Sequence, residues 1–329
     1  MSFLFFNRKL IYSVFFIFIT LLALKKYIDI NPLLFTKKEI KNSNFEKNNL
    51  NHNKNPKHEH KNNTVVSPFI TLNNGVQMPR IGFGVYNIPR SITKKCVLDA
   101  ISVGYRSIDT AQLYGNEKEV GEAVRASNVP RNELFITTKL WGCHGYFDAI
   151  NSIETSLKHL DIEYIDLLLI HEPTGNFVEI YRALEDYYRR GKLRSIGISN
   201  FNEEEYLKLL NNSKIIPQVN QVETHVFMQQ KTFKTFLENY GTQMEAWSPL
   251  ASGDKKFFQN AVLGEIAKKH NKSIAQIGLR FLYQQNIIII PKSTKIERMK
   301  ENINILDFEL TDDEMESIRK LDTGKSLFM

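Results

Sequence analysis

The chain has 329 residues, 43 Lys and Arg against 36 Asp and Glu, and a formal net charge of +7. Residues 1–64 hold 11 of the basic and four of the acidic side chains, so the surplus lies entirely in the leader and residues 65–329 are neutral. A neutral body removes the main support for nucleic-acid binding, which needs a basic excess in the folded part. Cys96 and Cys143, the two cysteines, are too few for a disulfide framework or a four-thiolate zinc site, and read as two unpaired thiols.

Residues 10–24 (LIYSVFFIFITLLAL) carry no charge and lie between Arg8-Lys9 and Lys25-Lys26. As a helix they would rise about 22 Å, short of a hydrocarbon core of about 30 Å. A positive start before an apolar core of this length describes a signal peptide, but no small-x-small cleavage site follows. Two readings stay open for residues 1–24: a cleaved signal peptide and an uncleaved signal anchor, the one place where the chain could touch a membrane. Residues 25–64 hold ten Asn, nine Lys and three His. Such a tract buries too little apolar surface to offset its ordering entropy and is expected to be disordered. His52, His58 and His60 read as compositional drift within it. The two segments together resemble, in composition, the two-part leaders that route proteins through the secretory pathway to secondary plastids. A membrane-anchored destination fits as well.

The body begins with an expected β-hairpin, Phe69–Leu72 and Val76–Met78 about Asn73-Asn74-Gly75, since Asn-Gly supplies positive φ. Short β-branched runs follow at Ile81–Val85, Arg106–Asp109, Leu134–Lys139, Ile165–His171, Ser195–Ser199, Gln218–Glu223, Gln243–Trp247 and Ile287–Pro291. Amphipathic stretches such as Asn151–Leu160 and Phe177–Arg190 lie between them, the latter stopped by Gly191. Eight strands with intervening helices predict a single (β/α)₈ TIM barrel over residues 65–329. A doubly wound sheet is the alternative, but Gly82-Phe83-Gly84 lacks the third glycine of a dinucleotide fingerprint.

Polar residues collect where a barrel keeps its active site, at the C-terminal ends of strands. Asp109 ends the second strand, with Tyr114 five residues on; Lys139 ends the third and His171 the fourth. Taken singly, each has a plain explanation, as a helix cap, loop packing, a snorkelling lysine or a core histidine. Their succession is what points to a site.

These residues lie within stretches that resemble the aldo-keto reductase family: Leu72–Gly84 (LNNGVQMPRIGFG), Tyr105–Glu117 (YRSIDTAQLYGNE), Thr137–Trp141 (TTKLW), Leu160–Pro173 (LDIEYIDLLLIHEP), Gly191–Phe201 (GKLRSIGISNF), Pro217–Glu223 (PQVNQVE), Ala246–Leu250 (AWSPL) and Ile290–Asn302 (IPKSTKIERMKEN). The resemblance implies a barrel that reduces aldehydes and ketones with NADPH and without a metal. It gives Asp109, Tyr114, Lys139 and His171 as the catalytic tetrad. Carbonyl reduction leaves charge on oxygen and requires a proton donor. Tyrosine, with an ordinary pKa of about 10, is a reluctant acid at neutral pH; the Lys139 ammonium is expected to make Tyr114 a readier one, with Asp109 holding Lys139 and His171 orienting the carbonyl.

The resemblance also implies a cofactor set. Ser199, Asn200 and Gln221 would hold the nicotinamide carboxamide, Trp247 would stack on the ring, and Gly84, Val85 and Tyr86 would lie beside it. Ser248 and Leu250 would reach over the pyrophosphate, and Asn302 would meet the adenine edge. Lys292 and Arg298, with Ser293 and Thr294, would receive a 2′-phosphate, which favours NADPH over NADH. Tyr86, Trp141 and His171 would line the pocket for a small carbonyl substrate. The chain departs from the family at Glu172, where tryptophan is usual, and at His225-Val226, where His-Pro is usual. Little chain follows Leu321–Leu327, which leads to the expectation of an open pocket almost without a C-terminal tail. A cofactor-sensing subunit without significant turnover is the alternative to an enzyme.

Overall fold

The computed structural model describes residues 67–328. The segments read as signal or anchor (1–24) and as a basic linker (25–64), with His52, His58 and His60, lie outside the described residues, and so do the first two positions of the barrel domain and Met329.

The hairpin forms from β1 (Phe69–Thr71) and β2 (Gln77–Pro79), antiparallel with Phe69 opposite Pro79. Its turn is closed by Gly75 N–H to Leu72 O at 2.9 Å and Leu72 N–H to Val76 O at 2.9 Å. Of the Asn-Asn-Gly run, Gly75 has a φ of +84°. That is a turn followed by a left-handed glycine, the usual three-residue hairpin loop, rather than a two-residue turn with both residues at positive φ.

Eight parallel strands follow: β3 (Phe83–Gly84), β4 (Ser107–Asp109), β5 (Phe135–Leu140), β6 (Ile165–Ile170), β7 (Leu193–Ser199), β8 (Val219–Glu223), β9 (Gln243–Trp247) and β10 (Ile288–Ile289). All eight expected strands are present: β9 has the expected bounds, β7 starts two residues earlier, β5 is shifted by one residue, and the other five are shorter. The seam between first and last closes through a parallel bridge of Ile81 with Ile289, with Gly82 N–H to Ile289 O at 2.8 Å and Ile289 N–H to Arg80 O at 3.0 Å. The close approach needs glycine at position 84, where a Cβ would stand 3.0 Å from Ile290 O. β5 and β6 are buried at every position because helices cover one face and the barrel interior the other.

The helices are α1 (Arg90–Ser102), α2 (Glu117–Ala126), α3 (Tyr146–Leu160), α4 (Phe177–Arg189), α5 (Glu203–Leu210), α6 (Lys231–Asn239), α7 (Lys255–Phe258), α8 (Ala261–His270), α9 (Ile274–Gln284), α10 (Ile296–Ile303) and α11 (Asp312–Arg319). α3 starts five residues before its expected Asn151, its first turn carrying Phe147, which is 78% exposed and so invisible to an amphipathic pattern. α4 buries Ile180, Tyr181, Leu184 and Tyr187 and stops before Gly191, whose φ is +70°. Asn202, Ser273 and Thr311 start their helices with complete capping boxes.

Leu72 and Met78 of the hairpin pack with Phe135, Leu167, Leu169, Val219 and Ile288. Phe135, Val219 and Ile288 are the first residues of their strands, so the hairpin plugs the N-terminal end and leaves the site at the opposite mouth. Among the described residues no helix is long and apolar enough to cross a membrane.

Candidate active site

At the C-terminal mouth the strand ends bring Asp109, Tyr114, Lys139 and His171 together. Lys139 is wholly buried; its Nζ donates to Asp109 Oδ1 at 2.5 Å, Thr110 O at 3.1 Å and the Tyr114 hydroxyl at 3.2 Å. Three acceptors match the three protons of an ammonium. Asp109 Oδ2 accepts from Gln221 Nε2 at 2.9 Å. The His171 ring meets Tyr114 and Trp141 edge-on, at centroid distances of 5.8 and 5.1 Å.

Local sequence explains the Tyr114 geometry. It ends a single 3₁₀ turn, Gln112–Tyr114, closed by Gly115 at φ +66°. Buried Asn116 ties that turn to the end of β3 by donating to Val85 O at 3.1 Å and accepting from the Thr110 hydroxyl at 2.8 Å. Gln112 ties its other side, donating to Ser152 O at 2.8 Å and to the Ser156 hydroxyl at 2.9 Å, and accepting from Trp141 N–H at 3.0 Å.

Burial and charge oppose each other here. Burial lowers the Lys139 pKa, but the Asp109 carboxylate and then Tyr114 outweigh it and hold the ammonium above its ordinary value. For Tyr114 the expected pull of Lys139 toward phenolate is present, set against burial. Burial raises its pKa and prevails; Lys139 pulls it down and Asp109 pushes it up. The ammonium therefore offsets part of the burial cost rather than making a net stronger acid. Burial, then Lys139, pushes His171 down to about 3, so its ring is neutral. Its Nδ1 is buried with no partner among the described residues.

A cavity of about 950 Å³ opens from the tetrad, lined along its length by Gly84, Tyr86, Ser199, Asn200, Gln221 and Trp247, and further out by Ser248, Leu250, Lys292, Ser293, Arg298 and Asn302. Val85 is not on its wall; it is core, and contributes a backbone N–H to Asp109 O at 3.0 Å. Thr294 is exposed and also off the wall, and Trp141 meets the site through His171 only. Asn200, at φ +62°, has its amide engaged inside the protein. It donates to Glu172 Oε1 at 2.8 Å and accepts from Trp247 Nε1 at 2.7 Å. Gln221 spends its Nε2 on Asp109 and on Glu245 Oε2, each at 2.9 Å, which leaves its carbonyl oxygen to face a ligand amide.

A model of the Aldo/keto reductase family matches residues 80–323. The chain belongs to the aldo/keto reductase family. It is 45% identical over 262 residues to the 9,11-endoperoxide prostaglandin H2 reductase of Trypanosoma cruzi, covering 78% of this chain and 93% of that protein. It is 44% identical to the glyoxal reductase of Bacillus subtilis, covering 78% and 94%. The crystal structure of a Bombyx mori aldo-keto reductase in complex with NADP is 33% identical, with a TM-score of 0.75 over 79% of this chain and 94% of that one. The protein is an oxidoreductase acting on carbonyl groups.

In this reductase the expected short tail still reaches the cavity with its last described residues. Ser326 donates through its hydroxyl to Glu223 Oε2 at 2.6 Å, and Leu327 N–H to Glu223 Oε1 at 3.0 Å. That clip lays Phe328 against Trp247, ring centroids 5.0 Å apart, on the cavity wall. Glu245 is a second feature the sequence reading passed over. The strand's period of two puts it in phase with Trp247, and an acidic residue in that phase of a buried strand was the available signal.

Proposed function

We propose that the protein reduces small aldehydes and ketones to alcohols with NADPH, Tyr114 acting as proton donor. The observation that carries this is the wholly buried Lys139 ammonium, held by Asp109 and 3.2 Å from the Tyr114 hydroxyl at the mouth of a large cavity. Glyoxal is the kind of substrate named for one relative, and a small dicarbonyl suits a site walled by Tyr86, Leu113 and His171.

The residues present fit a nicotinamide dinucleotide. Gly84, Ser199, Gln221 and Trp247 share one wall of the cavity; Ser199 and the Gln221 carbonyl oxygen offer polar atoms to a carboxamide, and the Trp247 face offers a stacking surface. Lys292, Ser293 and Arg298, on the outer wall of the cavity, suit a 2′-phosphate. When bound, NADPH supplies the hydride. Neutral His171 donates a ring N–H to the carbonyl oxygen and aligns it. Tyr114 gives that oxygen its proton, and Lys139, kept charged by Asp109, stabilises the phenolate left behind.

The test is loss of NADPH absorbance with a panel of small aldehydes. Turnover that disappears in Tyr114→Phe supports the reading; silence across the panel with tight NADPH binding would favour a cofactor sensor. We also propose that residues 1–64 are a leader for the secretory pathway, bound for a plastid-type organelle or a membrane anchor. N-terminal sequencing of the mature protein tests this: a start near residue 65 means removal of the leader, and an intact Met1 means an anchor.

A further inference from the structure

We infer that Glu245 is a positioning residue for the proton donor: its buried carboxyl, tied through Gln221 to Asp109, sets the charge against which Tyr114 releases its proton. The inference rests on the reading of Tyr114 as donor.

The geometry is that of a third acidic or amide group stacked beneath the tetrad. Glu245 sits on β9 with Gln221 of β8 on one side and Ile288 of β10 on the other. Its side chain is wholly buried. The Gln221 amide nitrogen donates to Glu245 Oε2 and to Asp109 Oδ2, each at 2.9 Å, so one group fixes both carboxyls. Glu245 Oε1 has no hydrogen-bond partner among the described residues. The groups facing it are Asp109 from β4, Lys139 from β5 and Gln221 from β8, with apolar Ile288 on the remaining side. The cluster holds one cation, Lys139, and that cation is already matched by Asp109.

An ionised Glu245 would therefore be a second buried anion sharing one ammonium, with an oxygen left bare, which is costly. A protonated Glu245 leaves the cluster neutral. Burial first, then Asp109, push its pKa up to about 8, against the lowering by Gln221 and Lys139. At neutral pH the group is a carboxylic acid; in mild alkali it becomes an anion beside Asp109. That added charge opposes formation of the Tyr114 phenolate, so proton donation slows as Glu245 ionises.

A folded pKa raised above the unfolded carboxylate value of about 4.3 has a defined consequence for stability. The contribution is fully present below that value and is lost as pH rises through about 8.

The experiment compares the wild type with Glu245→Gln and Glu245→Met. Turnover at saturating NADPH and one small aldehyde is measured from pH 6 to 10, and thermal stability of the NADPH-free protein over the same range. In the wild type the ratio of kcat at pH 9 to that at pH 7 should fall by about three- to tenfold, reflecting one charge acting over several ångströms. In both variants the ratio should flatten, KM for NADPH should change less than kcat, and the loss of stability between pH 6 and about 8 should shrink. Infrared difference spectra of the wild type between pH 7 and 9 should show one protonated carboxyl disappearing, a reading that needs no variant. Folded variants with the wild-type pH profile, or no protonated carboxyl at pH 7, overturn the inference while an inactive Tyr114→Phe leaves the donor reading standing. Turnover persisting in Tyr114→Phe overturns both.

Discussion

The two ends of the cavity are built on opposite principles. At the tetrad, Lys139 and Asp109 are buried, paired and bonded at every proton. At the outer end, Lys292 and Arg298 are exposed, and buried Ser293 is turned back onto its own loop by its bond to Lys295. A buried charge must have its partners in place before a ligand arrives, because leaving one unpaired is expensive. An exposed cation has water in the meantime and pays nothing for waiting. Changes at the inner end should therefore damage chemistry or folding, and changes at the outer end should alter only which dinucleotide is held.

Tyr114→Phe is the hardest test of the inner end. It removes the proposed donor and one acceptor of Lys139 while leaving Asp109 and Thr110 in place. Carbonyl reduction should fall by about 10²- to 10⁴-fold, with NADPH affinity measured by fluorescence little changed. Lys139→Met should act on folding as well as rate. It strands Asp109 without its cation in a fully buried site, at a cost of about 3–5 kcal/mol, read as a lower midpoint in denaturant. If Lys139→Met folds as stably as the wild type, the inner end is not the preassembled charge pair described above.

That contrast also explains what the sequence disclosed. Asp109, Lys139 and His171 were legible because strands end at defined residues and a barrel puts its chemistry there. Tyr114 was legible by motif and so was the help it receives from Lys139, but the burial that outweighs that help depends on the packed mouth of the barrel and is not written in the motif. The hairpin and all eight strands followed from period and turn residues, whereas the hairpin's seat on the barrel's N-terminal end did not. The Glu223 clip on Ser326 and Leu327 was not readable, because it joins residues more than 100 apart in sequence and depends on where the last turn leads. Glu172 was visible as a departure from the family, yet its bond to Asn200 required two strand ends to be side by side.

The outer end is sharpened by Arg298→Ala. Loss of a charged contact to a 2′-phosphate should weaken NADPH by about 10- to 100-fold, while NADH binding, which has no such phosphate, changes little. Equal losses for the two dinucleotides, measured by fluorescence titration, would place Arg298 on a part they share.

The smallest effect lies between the two ends, at Glu172. Its carboxylate holds the Asn200 amide at 2.8 Å, and Trp247 holds the other side at 2.7 Å. A nicotinamide carboxamide using Asn200 must compete with the Glu172 bond. Charged acceptors bind more strongly than neutral ones, so Glu172→Gln should loosen the internal bond and tighten NADPH by about two- to fivefold. The same reasoning fixes a pH trend. Burial raises the Glu172 pKa, with Asn200 pulling it down, so protonation begins at a higher pH than for an exposed glutamate. As pH falls through that range the wild type should approach the affinity of Glu172→Gln, and the variant should show no such change. If Glu172→Gln instead weakens NADPH at all pH values, the carboxylate serves to orient Asn200 toward the cofactor and does not compete for it.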